Sequence, residues 1–103
     1  MQFNIKNNHL FVGRGTTALY LILAKKFRDC EIIVPANICY SVIFAVLYSG
    51  NVPRFADVSE DYSGNMSLEN LENVVTEKTA AIVFPHMYGN VSSEIFKVKD
   101  LCT

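Results

Sequence analysis

Short apolar runs and longer runs with helical spacing alternate along the chain. Residues 31–34 read Glu-Ile-Ile-Val and stop at Pro35, which is typical of a strand buried on both faces. Between such runs, apolar residues recur at the three-to-four-residue spacing of a helix face. The pattern predicts strands at residues 9–12, 32–34, 52–57 and 81–84, and helices at residues 17–27, 38–49, 68–75 and 93–101.

This alternation of strands and helices predicts parallel strands joined by crossover helices. The fold class we expect is α/β, a three-layer sandwich with a mainly parallel sheet. The most apolar segments, residues 32–34 and 81–84, should lie inside that sheet. The first helix has little polar face, so we expect it to be well buried.

Polar residues mark the predicted start of two helices. Asn37 precedes the second helix and Ser67 the third, and either side chain can accept a hydrogen bond from a first-turn N–H group. Asp57 ends a predicted strand. We interpret it as a turn-forming residue, because its spacing pairs it with no second carboxylate or histidine.

The composition is that of a globular chain. Half of its 103 residues are hydrophobic, and nine basic against ten acidic residues leave a net charge of −1. These values argue against a disordered chain and against a nucleic acid or an acidic membrane as partner. The longest apolar run, residues 38–47, is about half a membrane span, and the N-terminus lacks the apolar run of a signal peptide. We therefore expect a cytoplasmic protein.

The cysteines fit neither a disulfide framework nor a zinc site. Cys30, Cys39 and Cys102 are widely spaced and form no CxxC pair, and His9 and His86 are the two histidines. We expect no metal, with Cys30 and Cys102 buried as small hydrophobic residues.

The pattern stops inside a predicted helix. Residues 101–103 contain no capping glycine, whereas the last helix of an α/β unit should lead into another strand. We therefore expect residues 1–103 to be an incomplete, N-terminal part of a larger domain, with no second domain present.

The loop Gly13-Arg14-Gly15-Thr16-Thr17 joins the first predicted strand to the first helix. Glycine lets a backbone approach a ligand, and the N–H groups at a helix start attract an anion. The threonine hydroxyls add donors, and Arg14 adds positive charge. The loop is a candidate phosphate site. The alternative is an ordinary glycine turn before a helix, since the loop is neither a P-loop nor a dinucleotide fingerprint.

Three longer strings resemble a known family. They are VGRGTTALYLIL, EIIVPANICYSVIFAVLYSGNVPRFADV and LENVVTEKTAAIVFPHMYGN. In order and spacing they resemble the start of the DegT/StrS-type sugar aminotransferases, which are pyridoxal-phosphate enzymes of the aspartate-aminotransferase fold (fold type I). The resemblance covers about residues 11–101. It implies that the chain is the N-terminal portion of the large, cofactor-binding domain of such an enzyme.

The resemblance implies cofactor-binding roles for four residues. Gly15 and Thr16 match the family's Gly-Thr pair, which binds the phosphate of pyridoxal phosphate at a helix N-terminus. Cys39 stands where the family commonly has an aromatic residue that stacks on the pyridine ring. Either Cys39 packs against the ring as a polarizable surface, or its neighbour Tyr40 takes over, or the contact has been lost. A buried helix residue is the alternative for Cys39.

His86 and Tyr88 lie in the segment His-Met-Tyr-Gly, just past the last predicted strand. Ligands of open α/β sheets gather at the carboxyl ends of the strands. The matching loop borders the active site in the family, so the resemblance implies contact with cofactor or substrate. A structural role, with the imidazole hydrogen-bonded to the backbone, is the alternative.

The family's chemistry needs a lysine that bonds to the cofactor aldehyde and an aspartate that pairs with the pyridinium nitrogen. In the family both lie downstream of the matched segments. None of the six lysines in this chain matches the lysine position. The resemblance therefore implies no catalytic residue within the chain, with both the Lys and the Asp beyond its end.

The resemblance also implies a function for the parent protein. Family members form homodimers and move an amino group, usually from glutamate, onto a nucleotide-linked keto-sugar for amino-sugar and polysaccharide biosynthesis. A related branch dehydrates such sugars. One alternative is a truncated, non-catalytic remnant or an assembly or binding fragment of the same fold. Another is an unrelated α/β module that binds phosphate at Gly15 and Thr16.

Overall fold

The computed structural model describes residues 4–6 and 9–102. A short hairpin is followed by alternating helices and strands. The strands are β1 (Asn4–Lys6), β2 (His9–Phe11), β3 (Glu31–Pro35), β4 (Val52–Ala56) and β5 (Thr79–Ile82), and the helices are α1 (Gly15–Lys26), α2 (Tyr40–Tyr48), α3 (Leu68–Val74) and α4 (Ile95–Leu101).

Strands β3, β4 and β5 form a parallel sheet in the order β4-β3-β5. The central position of β3 matches its sequence, because Ile32, Ile33 and Val34 are completely buried. In the register of the sheet, Ile33 lies between Arg54 of β4 and Ile82 of β5. The predicted α/β class with a parallel sheet is confirmed.

Helices cover both faces of this sheet. On one face, Ile32 packs with Val46 in a cluster to which α1 and α2 contribute. On the other face, Ile33 packs with Leu71 of α3 and Val98 of α4. Because successive side chains of a strand point to opposite faces, β3 serves both clusters. The molecule is therefore a three-layer sandwich, as predicted.

The prediction that residues 81–84 lie inside the sheet is wrong. β5 is at an edge of the three-stranded sheet, and its residues are half-buried. Its pairing with β3 continues beyond the strand, because Val83 N–H donates to Ile33 C=O over 2.8 Å. Helices cover the two faces of an edge strand as they do those of a central one, so apolar composition does not distinguish the two positions.

The predicted strand at residues 9–12 forms as β2, but it lies outside the parallel sheet. It pairs antiparallel with β1, with Asn4 opposite Phe11. All three residues of β2 are exposed. The sequence pattern did not indicate β1, because Asn4-Ile5-Lys6 contains no apolar run.

The first helix is less buried than predicted. In α1, Leu23 is buried while Ile22 is 54% exposed. The helix packs against the sheet and α2, so its remaining surface faces solvent. α2 shows the same arrangement, with Leu47 half-exposed.

One of the two predicted helix caps is correct. Ser67 caps α3, and its Oγ accepts from Asn70 N–H over 3.1 Å. Asn37 does not cap α2. Cys39 is the N-cap residue, and Asn37 Nδ2 instead donates to Gly64 C=O over 3.0 Å.

All three cysteines are free thiols. Cys30 is half-buried, but Cys102 is exposed just after α4, so the expectation that it is buried is wrong. Within residues 4–6 and 9–102, no group of three His, Cys, Asp or Glu side chains could hold a metal ion. None of the helices in this part of the chain is long and apolar enough to cross a bilayer.

Candidate functional site

The carboxyl ends of the three parallel strands define one edge of the sheet, here called the carboxyl edge. α2 follows the end of β3 at this edge, and the loops after β4 and β5 start there. The C-terminal end of α1 is joined by residues 27–30 to the start of β3, at the opposite edge of the sheet, and α1 packs on the same sheet. The N-terminus of α1 therefore also points to the carboxyl edge, where ligands of open α/β sheets bind.

The N-terminus of α1 presents backbone donors. The first helical hydrogen bond runs from Ala18 N–H to Arg14 C=O over 3.2 Å. No residue in the described part of the chain accepts from the N–H groups of Gly15, Thr16 and Thr17. Arg14, the N-cap residue, makes no side-chain cap bond. Since the positive end of the helix dipole lies here as well, an anion is favoured at this position.

The space around Gly15 is open. A methyl group built on Gly15 would meet no atom within 4 Å. Packing among the described residues therefore does not require glycine here. The missing side chain leaves the approach to the helix N–H groups clear.

A cleft of about 240 Å³ lies between the N-terminal half of α1 and the length of α2 from Ser41 to Tyr48. Thr16, Thr17 and Ser41 contribute to its lining, but the surface that faces the cleft is almost entirely apolar. Its other walls are apolar or aromatic and are formed by Tyr20, Phe44, Ala45 and Tyr48. The cleft is thus an apolar surface that suits an aromatic ring, and it adjoins the N-terminus of α1, where the backbone donors lie.

Cys39 and Tyr40 begin α2, and both are exposed. The hydroxyl of Ser41 donates to Cys39 Sγ over 3.4 Å. This bond, followed by one from the Ser41 backbone, lowers the pKa of the Cys39 thiol. The Tyr40 ring stands edge-on to Phe44, with 5.6 Å between centroids. Of these residues Ser41 and Phe44 line the cleft, and Cys39 and Tyr40 lie beside it.

His86 and Tyr88 lie at a 3₁₀ turn, Met87–Gly89, that follows β5. Tyr88 has a φ of 56°, a left-handed conformation that costs free energy in a residue other than glycine. Its ring covers Gly64, where an added Cβ would lie 3.0 Å from Tyr88 Cε2. Both His86 and Tyr88 are exposed at the carboxyl edge.

Asn65, which the sequence analysis did not single out, holds this turn in place. It is 4% exposed. Its Oδ1 accepts from Met87 N–H over 2.7 Å, and its Nδ2 donates to Asn90 C=O over 2.8 Å. Asn90 Nδ2 in turn donates to Ser63 C=O over 3.1 Å. Residues 63–65 and 86–90 thus form one hydrogen-bonded unit, which we call the Asn65 clasp.

The imidazole of His86 has two neighbours. Ser92 N–H donates to His86 Nδ1 over 3.1 Å. The ring lies edge-on to Phe84, with 5.8 Å between centroids. These contacts fix the orientation of a side chain that is otherwise exposed.

A second buried asparagine lies at the opposite edge of the sheet. Asn51, 4% exposed, donates through Nδ2 to Phe27 C=O over 3.2 Å and accepts through Oδ1 from Cys30 N–H over 3.1 Å. Its own N–H donates to Val46 C=O. Asn51 therefore joins the C-terminal ends of α1 and α2, the two helices between which the cleft lies.

A larger cleft, about 640 Å³, lies between the end of β4 and α3. Asp57, Glu60 and Glu69 line it, so its negative charge disfavours phosphate. Asn70 Nδ2 donates to the backbone C=O of Asp57 over 3.0 Å and of Val58 over 3.1 Å, which anchors the turn after β4. For an anionic ligand, the N-terminus of α1 is therefore the better candidate.

The lysines whose side chains the structure describes lie away from this cleft. Lys25 and Lys26 are in the last turn of α1, at the far end from Gly15. Lys97 and Lys99 belong to α4 on the other face of the sheet, and Lys78 precedes β5 at the opposite edge.

Comparison with known proteins identifies relatives. The family model described as the DegT/DnrJ/EryC1/StrS aminotransferase family matches residues 2–103. Over 81 residues the chain is 37% identical to a GDP-perosamine synthase of Escherichia coli, a match that covers 77% of this chain and 22% of that protein. Over 89 residues it is 33% identical to a GDP-4-keto-6-deoxy-D-mannose 3-dehydratase of Yersinia pseudotuberculosis. This match covers 79% of this chain and 22% of that protein. The chain thus spans about a fifth of the length of these relatives.

Solved structures share this fold. An aminotransferase of Psychrobacter cryohalolentis superimposes with a TM-score of 0.74 and 32% identity, over 87% of this chain and 24% of that one. NtdA of Bacillus subtilis, solved with bound cofactor PMP, gives a TM-score of 0.72 and 28% identity. The superposition covers 84% of this chain and 21% of that one. PMP is the amino form of pyridoxal phosphate, so solved relatives hold this cofactor.

Proposed function

Because the chain belongs to the DegT/DnrJ/EryC1/StrS aminotransferase family, we propose that it forms the phosphate-binding part of a pyridoxal-phosphate-dependent sugar aminotransferase. Residues 1–103 are then the first segment of the large, cofactor-binding domain. The substrate is a nucleotide-linked keto-sugar, which the reaction converts to an amino sugar. The similarity to a GDP-perosamine synthase supports this substrate class.

The observation that carries the proposal is the open N-terminus of α1. Three N–H groups without an acceptor among the described residues, at Gly15, Thr16 and Thr17, adjoin a cleft that Thr16, Thr17 and Ser41 line. A phosphate bound there takes these N–H and hydroxyl groups as donors, and the helix dipole stabilises its charge. The residues present therefore fit the phosphate of pyridoxal phosphate.

When bound, pyridoxal phosphate supplies the electron sink that amino-group transfer requires. The chain's own residues hold and orient the ring. Cys39 and Tyr40 lie beside the cleft at the start of α2, and both are exposed. We assign the ring contact to this pair, with the polarizable sulfur of Cys39 taking the place of an aromatic face.

The Asn65 clasp borders the same edge. It presents His86 and Tyr88 to solvent on a turn fixed by the buried Asn65. In the proposal this turn forms one wall of the substrate site. The left-handed Tyr88 fits such a role, because strained backbone tends to occur at functional sites.

No catalytic residue is assigned within the chain. The lysines whose side chains the structure describes lie at the far end of α1, on the opposite face of the sheet or at its other edge. We propose that the lysine that bonds to the cofactor and the aspartate that pairs with its ring nitrogen belong to the part of the relatives that this chain does not match.

The same proposal includes a glutamate amino donor, a cytoplasmic location and a homodimer. The outer sides of α1 and α2 support the homodimer. Ile22, Leu47 and Tyr48 are 54%, 50% and 77% exposed, and apolar side chains of this size on adjacent helices favour association.

The test is cofactor binding by Thr16 variants of this chain. We expect Thr16→Ala to weaken pyridoxal-phosphate binding by ~1 kcal/mol or more, about fivefold, because a hydrogen bond to a charged phosphate is lost. Thr16→Ser keeps the hydroxyl and should bind as the parent chain does. Binding is measured by equilibrium dialysis and compared with that of pyridoxal, which lacks the phosphate. Equal affinities for Thr16→Ala and Thr16→Ser would contradict the proposal.

Dehydration of the same substrates is the second candidate function. The identity with a GDP-4-keto-6-deoxy-D-mannose 3-dehydratase favours it. Both reactions would use the same phosphate site, so the Thr16 test does not separate them. The full-length protein decides, since formation of 2-oxoglutarate from glutamate during conversion of the sugar to an amino sugar supports the aminotransferase.

A further inference from the structure

We propose that His86 acts as a hydrogen-bond donor to the substrate. Its neutral ring carries the proton on Nε2 and offers it to an oxygen atom of a nucleotide-linked sugar, and Ser92 is the positioning residue that fixes this arrangement. The class of ligand in this inference rests on the proposed function. The position of the proton on the imidazole does not, because it follows from the contact with Ser92.

The contact with Ser92 determines which ring nitrogen carries the proton. Ser92 N–H points at His86 Nδ1 over 3.1 Å. A backbone N–H can donate and cannot accept, so Nδ1 must present its lone pair. The proton of the neutral imidazole is then on Nε2. The side chain is thereby a donor, and the nitrogen that could serve as a base is already occupied.

The backbone of Ser92 is itself held in place. Ser92 is 8% exposed, and its Oγ accepts from Glu94 N–H over 3.1 Å at the start of α4. The Asn65 clasp fixes Met87, the residue after His86. The imidazole therefore has one orientation, supported by two loops and a helix start.

Nε2 has no acceptor within the described residues, although the side chain is exposed. The ring is held through Nδ1 and through its edge contact with Phe84. An oriented N–H at the carboxyl edge, with nothing to donate to in the described part of the chain, is suited to a ligand oxygen.

The position of His86 favours a substrate oxygen over the cofactor phosphate. Phe84, which the His86 ring contacts, packs in the cluster of α3 and α4, whereas Val83 packs in the cluster of α1 and α2. His86 therefore lies toward the opposite face of the sheet from the phosphate cleft. The oxygen it meets belongs to a group that extends across the carboxyl edge, such as the diphosphate or a sugar hydroxyl.

The first experiment determines the tautomer in the unliganded chain. Nitrogen NMR of histidine-labelled protein distinguishes a protonated ring nitrogen from an unprotonated one, and His9→Gln assigns the two histidines. We expect the His86 proton on Nε2. A proton on Nδ1, or a ring that exchanges between both forms, would overturn the proposal.

The second experiment separates the two nitrogens. In His86→Gln the amide nitrogen reaches the place of Nε2, while in His86→Asn the amide replaces the Nδ1 side of the ring. GDP-mannose and UDP-N-acetylglucosamine serve as probes. We expect at least one of them to shift the Nε2 resonance of His86, His86→Gln to bind it within about threefold of the parent chain, and His86→Asn to bind it about tenfold more weakly.

The outcomes distinguish this proposal from the function on which it rests. Equal binding by His86→Gln and His86→Asn, or no response of Nε2 to either probe, overturns the role of His86. If Thr16→Ala weakens pyridoxal-phosphate binding in the same preparation, the proposed function stands without it. Circular dichroism checks that both His86 variants keep the fold. If one of them does not, the tautomer measurement on the parent chain decides the proposal instead.

Discussion

At the scale of single residues, the thiol of Cys39 is a group at the candidate site whose pKa is shifted by its neighbours. Ser41 donates to it through its hydroxyl and then through its backbone N–H, and both lower the pKa of the thiol. A lowered pKa increases the thiolate fraction near neutral pH, and the thiolate is the form that reacts with alkylating agents.

We therefore predict that Ser41→Ala raises the pKa of Cys39 and slows its alkylation by iodoacetamide near pH 7. The midpoint of the pH–rate profile should move to higher pH, because the hydroxyl bond is lost while the weaker backbone bond remains. Mass spectrometry follows each cysteine separately, so Cys30 and Cys102 serve as internal controls. An unchanged profile at Cys39 would show that the hydroxyl does not act on the thiol.

Single residues also show where sequence reasoning ends. Gly15 and Thr16 could be placed at a helix start, and His86 and Tyr88 just past the end of a predicted parallel strand. Asn65 could not, because its partners Met87 and Asn90 are more than twenty residues away in the chain. The turn-forming residues 61–65 indicate a turn, but nothing local in them indicates a buried side chain that bonds to another loop.

At the scale of elements, the start of α1 separates the two interpretations of the glycine loop. Gly15 has no positive φ, and a methyl group there meets no atom within 4 Å. If the loop is merely a helix start, alanine should improve it, by up to about 1 kcal/mol. If it is a phosphate site, the methyl group also obstructs the approach to the N–H groups.

We predict that Gly15→Ala leaves the free energy of unfolding unchanged or raises it, and that it weakens pyridoxal-phosphate binding. Urea denaturation and equilibrium dialysis measure the two effects. Gly50→Ala is the matched control. Its site is equally open but has a φ of 86°, so alanine should destabilise the fold by about 1 kcal/mol and leave binding of the cofactor to the folded chain unaffected. Unaltered binding by Gly15→Ala would favour the simple helix start.

The order and type of the elements were predictable, whereas the extent of their burial was not. A pattern of apolar residues indicates which faces of a segment are buried. For β3, where four of the five residues are buried, this pattern predicted the burial correctly. For α1 the same signal overstated burial, since the helix has an exposed apolar side that includes Ile22. Composition cannot tell whether such a side is covered by residues of the chain itself.

At the scale of the whole molecule, the proposed function gives the chain a phosphate site but no residue that reacts. We predict that these 103 residues alone show no aminotransferase activity. Purified chain with pyridoxal phosphate, glutamate and a nucleotide-linked keto-sugar should form 2-oxoglutarate no faster than the free cofactor does. Turnover above that background, and abolished by Thr16→Ala, would contradict the prediction and require a reactive lysine among the six present.

The Asn65 clasp has a consequence for the motions of the molecule. The amide proton of Met87 lies in a surface turn, where hydrogen exchange with solvent is ordinarily fast. Its acceptor, however, is the side chain of a residue that is 4% exposed and bonded on both sides. This proton can exchange only when the two loops separate. The turn that carries His86 and Tyr88 should therefore open together with residues 63–65, rather than fluctuate as an independent loop.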